Sequence, residues 1–123
     1  MSIAQGLDYL RDGHPACSLA AFGDLGTRLV LRSSAATEHP QEFYDKLCAQ
    51  AAGTFGLSDG LQRPDGVAAG NEVVVLTPQD ARVFVRSPEN GSDFVGCICD
   101  AQQDLNDIAA SAAAMLSEAT ATP

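Results

Sequence analysis

The chain lacks tryptophan, and its 123 residues include seven lysines and arginines against sixteen aspartates and glutamates. The resulting net charge of −9 disfavours non-specific nucleic-acid binding, which depends on neutralising phosphates with cations. An anionic membrane surface would also repel it. The alanine-rich Ile108–Leu116 run falls far short of the ~20 apolar residues needed to cross a bilayer. There is no Cys-x-x-Cys and no cysteine–histidine pair at zinc spacing, so no metal site is expected. Asp59, Asp65, Asp100, Asp104 and Asp107 never reach calcium-loop spacing. Gly23-Asp24-Leu25-Gly26 has no following Gly-Lys-Ser/Thr and joins strand to strand, which excludes a phosphate loop. His14 and His39 each precede a proline, and no nucleophile or carboxylate is marked as a partner for either. The expectation is a protein with no catalytic residue and no cofactor. The N-terminal stretch lacks a basic region, and Asp8, Arg11 and Asp12 interrupt any apolar core there. No secretory signal is therefore expected, and the predicted location is the cytoplasm with reduced thiols.

Against these absences stands an apolar content of 46%, ordinary for a globular protein. The length suits one domain over residues 1–123. Its best-marked stretch is Asn71–Asp100. Three β-branched runs, Val73–Leu76, Arg82–Arg86 and Phe94–Cys99, are separated by Thr77-Pro78-Gln79-Asp80 and by Glu89-Asn90-Gly91-Ser92. Asn-Gly is a strong hairpin signal and Pro78 suits a turn, so the pattern predicts an antiparallel meander. Cys97 and Cys99 are two apart in its last strand and share a face. With Cys17 and Cys48 they read as small buried hydrophobes.

Upstream, Ser2 caps a predicted helix striped by Ile3, Leu7 and Leu10, and Gly13-His14-Pro15 ends it. Ala16–Phe22 and Thr27–Arg32 read as a hairpin turning at residues 23–26. In its second strand Leu29 and Leu31 alternate with Arg28, Val30 and Arg32, which predicts one buried face. Ser33–Glu38 reads as a loop. Pro40 then opens a helix whose row Phe43, Leu47, Ala51 and Phe55 recurs every four residues, with Gly56 as its predicted stop. Residues 57–71 carry repeated turn signals and are predicted to be a mobile loop. Asp100 or Asp104 starts a last helix striped by Leu105, Ile108, Ala109, Ala112, Met115 and Leu116, with a frayed tail at 120–123. The element order is α-β-β-α-β-β-β-α.

Arg28, Arg32, Arg82 and Arg86 are four of the seven basic residues, and all lie in predicted strands. Two readings stand: solvated strand arginines paired with local acids, or a docking surface for a carboxylate-rich or phosphate-bearing partner.

With this order in place, the chain resembles the roadblock/LC7 family. The stretch Ala16-Cys-Ser-Leu-Ala-Ala-Phe-Gly-Asp-Leu-Gly-Thr-Arg-Leu-Val-Leu-Arg-Ser-Ser34 looks like that family's first hairpin, and the helix at Pro40–Phe55 and the meander at Glu72–Cys99 follow in order. The resemblance implies an α/β fold of α+β type, a profilin-like sandwich. Its five-stranded antiparallel sheet would be flanked by three helices, the middle helix on one face and the two terminal ones on the other. It implies a non-catalytic dimeric regulator or scaffold, often of a small Ras-like GTPase. The partner would be itself or a related roadblock-like chain. The dimer would form through the third strand and second helix, here Val73, Val74, Val75 and Leu76 with Phe43, Leu47 and Ala51. Two other readings are an acidic secretion-type chaperone, which usually places three strands before the middle helix, and a ligand-sensing profilin-, PAS- or GAF-like module, which needs a roomy polar pocket.

Overall fold

A computed structural model describes residues 2–60, 70–102 and 104–120. Its elements are α1 (Ile3–Gly13), β1 (Cys17–Asp24), β2 (Leu29–Ala35), α2 (Gln41–Gly60), β3 (Glu72–Leu76), β4 (Ala81–Arg86), β5 (Asp93–Cys99) and α3 (Leu105–Thr120). The five strands form one antiparallel sheet in the order β2-β1-β5-β4-β3. The predicted α-β-β-α-β-β-β-α order holds, as does the layering of the sandwich. Leu7 and Leu10 of α1 pack with Ile108, Ala112 and Leu116 of α3 against Cys17, Ala20, Val83, Val95 and Cys97 on one sheet face. Leu47, Cys48, Ala51 and Phe55 of α2 pack against Leu19, Ala21, Phe84, Phe94 and Ile98 on the other.

Local chemistry sets most of the boundaries. The Ser2 side chain accepts from the Gln5 backbone N–H while the Gln5 side chain accepts from the Ser2 N–H, a reciprocal capping box that stabilises a helix start by about 1 kcal/mol. Asp104 Oδ1 accepts from the N–H groups of Asn106 and Asp107 and caps α3. In the β3–β4 turn, Thr77 Oγ1 accepts from the N–H groups of Gln79 and Asp80 and donates to Asp80 Oδ1.

Three expectations are corrected. The first hairpin turns later than predicted. Asp24 Oδ1 accepts from the Gly26 and Thr27 N–H groups at 2.7 and 3.2 Å, and Arg28 lies in the turn at φ 59°, outside β2. Ser33 and Ser34 join β2 instead of a loop, because Ser34 is buried where it donates to Asp8 and accepts from Arg11, both on α1. The strand also bulges opposite Phe22 and Gly23. Leu29 and Leu31 are about half exposed, at 49% and 50%, and Val30 is the residue that packs against the α2 layer. Finally, α2 runs through Gly56 to Gly60, so residues 57–60 of the predicted loop are helical. Residues 61–69 and 121–123 lie outside the described residues.

The α2 face depends on two aromatic–glycine pairs across strands. Phe84 stands opposite Gly96, and Phe94 opposite Gly23. A Cβ on Gly96 would lie 2.9 Å from Phe84 Cδ1. One on Gly23 would lie 2.7 Å from both Phe94 Cε1 and the Leu29 carbonyl oxygen. Each ring lies over a missing side chain, which leaves a surface that α2 can approach closely. A ring tip can give way but a backbone carbonyl cannot. Gly23→Ala should therefore destabilise more than Gly96→Ala, with overpacking of about 1–3 kcal/mol expected at such sites. Gly53 and Gly56 on α2 have open space where a Cβ would go, and alanine there should stabilise by about 0.5–1 kcal/mol each. Urea unfolding of the four variants checks this order.

Candidate functional site

Among the described residues β3 is an edge strand, paired only with β4. Its side chains alternate: Val73 and Val75 are partly buried against the α2 layer, while Val74 and Leu76 are 46% and 68% exposed. On α2, Leu47 and Ala51 are fully buried against the protomer's own sheet, and Phe43 is partly buried. Phe43 stacks on His39, with ring centroids 4.3 Å apart. The apolar row of α2 thus builds the core, and the exposed apolar side chains of β3 are Val74 and Leu76, on the sheet face away from α2.

Two arginines fasten α2 to this end of the sheet. Arg86 on β4 donates from Nη1 and Nη2 to both carboxylate oxygens of Asp59 at 2.8 and 2.9 Å. Its Nε donates to Asn71 Oδ1 and its Nη2 to the Gly70 carbonyl, each at 3.2 Å. The guanidinium also stands 4.5 Å from the centre of the Phe55 ring. One side chain therefore grips the end of α2 and the chain entering β3, using the planar fork that distinguishes arginine from lysine. Arg82 donates to Asp80 at 3.3 Å and to Gln50 of α2 at 3.0 Å.

The four arginines singled out by sequence do not form one patch. Arg82 and Arg86 project on the α2 side and are ion-paired. Arg28 sits in the first hairpin turn. Arg32 stands opposite Phe22, whose ring packs on the α1–α3 side. Among the described residues neither Arg28 nor Arg32 makes an ion pair. Sequence reasoning missed Asp59, Asn71 and Gln50. Asp59 was findable: it continues the row Phe43, Leu47, Ala51, Phe55 by one more step of four.

Two clusters resemble chemistry without supplying it. His14 Nε2 lies 3.1 Å from Ser111 Oγ, and His14 Nδ1 lies 3.7 Å from Asp107 Oδ2. Ser111 sits inside α3, where its backbone N–H belongs to the helical ladder and cannot serve as an oxyanion donor. The Asp–His–Ser line instead ties the end of α1 to α3, beside an open groove of about 300 Å³ lined by Tyr9, Leu10 and Met115. Cys17, Cys97 and Cys99 meet beneath these helices, all buried. Hydrogen bonding with Cys17, and then burial, push the Cys97 and Cys99 thiols up. Among the described residues no group of His, Cys, Asp or Glu is placed to hold a metal ion, and no helix is long and apolar enough to cross a membrane.

The hydrogen bonds from Arg86 hold the Asp59 carboxyl below its ordinary range, and the Arg86 guanidinium is raised in turn. A depressed carboxylate pKa contributes stability above the unfolded value and loses it as pH falls through the folded value. Asp59 should therefore titrate below the ~3.9 of a free aspartate when its carboxyl carbon is followed by NMR, and Arg86→Gln should return it to that value. An unshifted wild-type titration would refute the fastening.

No family model matches the sequence, and no curated protein matches it. Solved structures do. A roadblock/LC7 domain from Streptomyces avermitilis superposes with a TM-score of 0.74 at 16% identity, covering 96% of this chain and 94% of that one. Myxococcus xanthus MglB gives 0.74 at 15% identity, covering 96% and 91%. A structure of MglB with a tetrameric arrangement gives 0.76 at 16% identity, covering 95% and 84%. The chain has the roadblock/LC7 fold.

Proposed function

We propose that this chain is a single-domain, non-catalytic regulator or scaffold of the roadblock/LC7 type, acting in the cytoplasm as a dimer and binding a small Ras-like GTPase. One observation carries the dimer: among the described residues β3 has no strand on its outer edge, and it presents Val74 and Leu76, 46% and 68% exposed. A bare edge of that composition is an aggregation hazard. Antiparallel pairing with a second copy around a twofold axis covers it and gives one continuous sheet. Phe43 and α2 flank the seam, with Leu47 and Ala51 holding the helix in place from inside. The GTPase partner rests on the resemblance to the family, in which regulation of such enzymes is common. The chaperone reading calls for a third strand ahead of the middle helix, and two precede α2.

Light scattering tests the dimer. Wild type should have twice the chain mass. Val74→Lys and Leu76→Lys place charges in the seam at sites that are exposed in the protomer, where fold stability changes by only about 0.5 kcal/mol. Both variants should remain folded and dissociate at least tenfold more readily, a loss of about 1.4 kcal/mol or more. A folded wild-type monomer, or a dimer indifferent to both lysines, would overturn this interface. Pull-down of small GTPases in their two nucleotide states then tests the partner, and the monomeric variants serve as controls.

A further inference from the structure

The opposite edge of the sheet carries a second, differently built surface. β2 is the other outer strand. Leu29 and Leu31 on it are 49% and 50% exposed, and Leu31 falls at the bulge, between Val30 and Arg32, which pair with Gly23 and Phe22. A cleft lies on each side of this strand. One, of about 630 Å³, is lined by Ile3, Phe22, Leu31 and Arg32. The other, of about 320 Å³, is lined by Val30, Leu31, Ser33, Gln41 and Tyr44.

The strand and its turn are basic between Asp24, which closes the turn, and Glu38 beyond the strand. From Leu25 to Thr37 there is no acid, in a chain with sixteen and a net charge of −9, and the two charged residues are Arg28 and Arg32. Both are exposed, and among the described residues neither is ion-paired. Arg28 is held in the turn with φ 59°, and Arg32 lies along the strand with Nη1 on the Leu31 carbonyl at 3.2 Å. A bulge and a charge are ordinary means of protecting an edge. Protection alone does not call for two half-exposed leucines with a cleft on either face.

We propose that β2 is a docking edge for an extended acidic segment of a partner protein, which adds to the sheet as a strand. The backbone edge would supply hydrogen bonds. Because side chains of a strand alternate between faces, an added strand would send apolar groups toward both clefts. Its Asp and Glu residues would meet Arg28 and Arg32, whose unpaired guanidiniums suit carboxylates. A second copy pairing through its own β2 would set Arg28 and Arg32 against their like, which disfavours a second copy as the occupant. This edge is remote from β3 in the sheet order, so the proposal does not depend on the dimer.

The test is a display selection of random ten-residue peptides on the wild-type chain, counter-selected on Arg28→Glu/Arg32→Glu, with circular dichroism confirming that the variant is folded. Enriched peptides should alternate apolar with Asp or Glu residues and bind wild type at least tenfold more tightly than the variant. They should shift amide resonances of residues 29–35 and not those of 72–76. Leu31→Asp, at an exposed site, should weaken the same peptides by a similar factor. No enrichment, peptides without acidic excess, equal binding to the double variant, or shifts confined to β3 would each overturn the proposal. Self-association of wild type that the double variant abolishes would also overturn it, since a second copy would then hold the edge.

Discussion

Along the outer sides of β3 and β2 the backbone N–H and C=O groups face no strand among the described residues, and that constraint organises the molecule. An open sheet has two such edges, and water or another chain must satisfy them. The two differ in every other respect. β3 is short, its four apolar residues Val73–Leu76 follow one another, and Arg82 and Arg86 on the neighbouring β4 are ion-paired. β2 is bulged, polar at Ser33 and Ser34, and carries Arg32, which among the described residues makes no ion pair. The first composition suits pairing with an identical strand. The second suits a partner of opposite charge.

What makes β3 available is the way α2 is held. Phe84 and Phe94 lie over Gly96 and Gly23, which lets the helix sit close to the sheet. Arg86 then connects the far end of α2 to the start of β3 through Asp59, Gly70 and Asn71. One side chain of the neighbouring strand thereby joins the end of α2 to the start of β3. The edge strand is held by packing and a charge-assisted clamp.

Much of this was legible in the sequence because it is local. The Ser2 cap, the stop at Gly13, the Asn90-Gly91 turn and the period of the last helix all act within a few residues. The errors were non-local. Ser34 reads as a loop residue until Asp8 and Arg11 of α1 are seen bonded to it. Gly56 reads as a stop until Asp59 is seen gripped from β4. The row Phe43, Leu47 and Ala51 reads equally as a core face or an interface, since sequence cannot distinguish a helix packing on its own sheet from one packing on a partner. Likewise the four arginines admitted both readings, pairing with local acids and an open surface; Arg82 and Arg86 took the first, while among the described residues Arg28 and Arg32 make no ion pair.

The central claim is that β3 of one copy completes the sheet of another. Hydrogen exchange of the amides of residues 72–76, followed over a range of protein concentration, tests it most directly. The account predicts protection that rises with concentration and falls on dilution, as the outer edge gains and loses a partner strand. Exchange in β3 that stays at one rate across the whole range, while the amides of β1 and β5 remain protected, would contradict it.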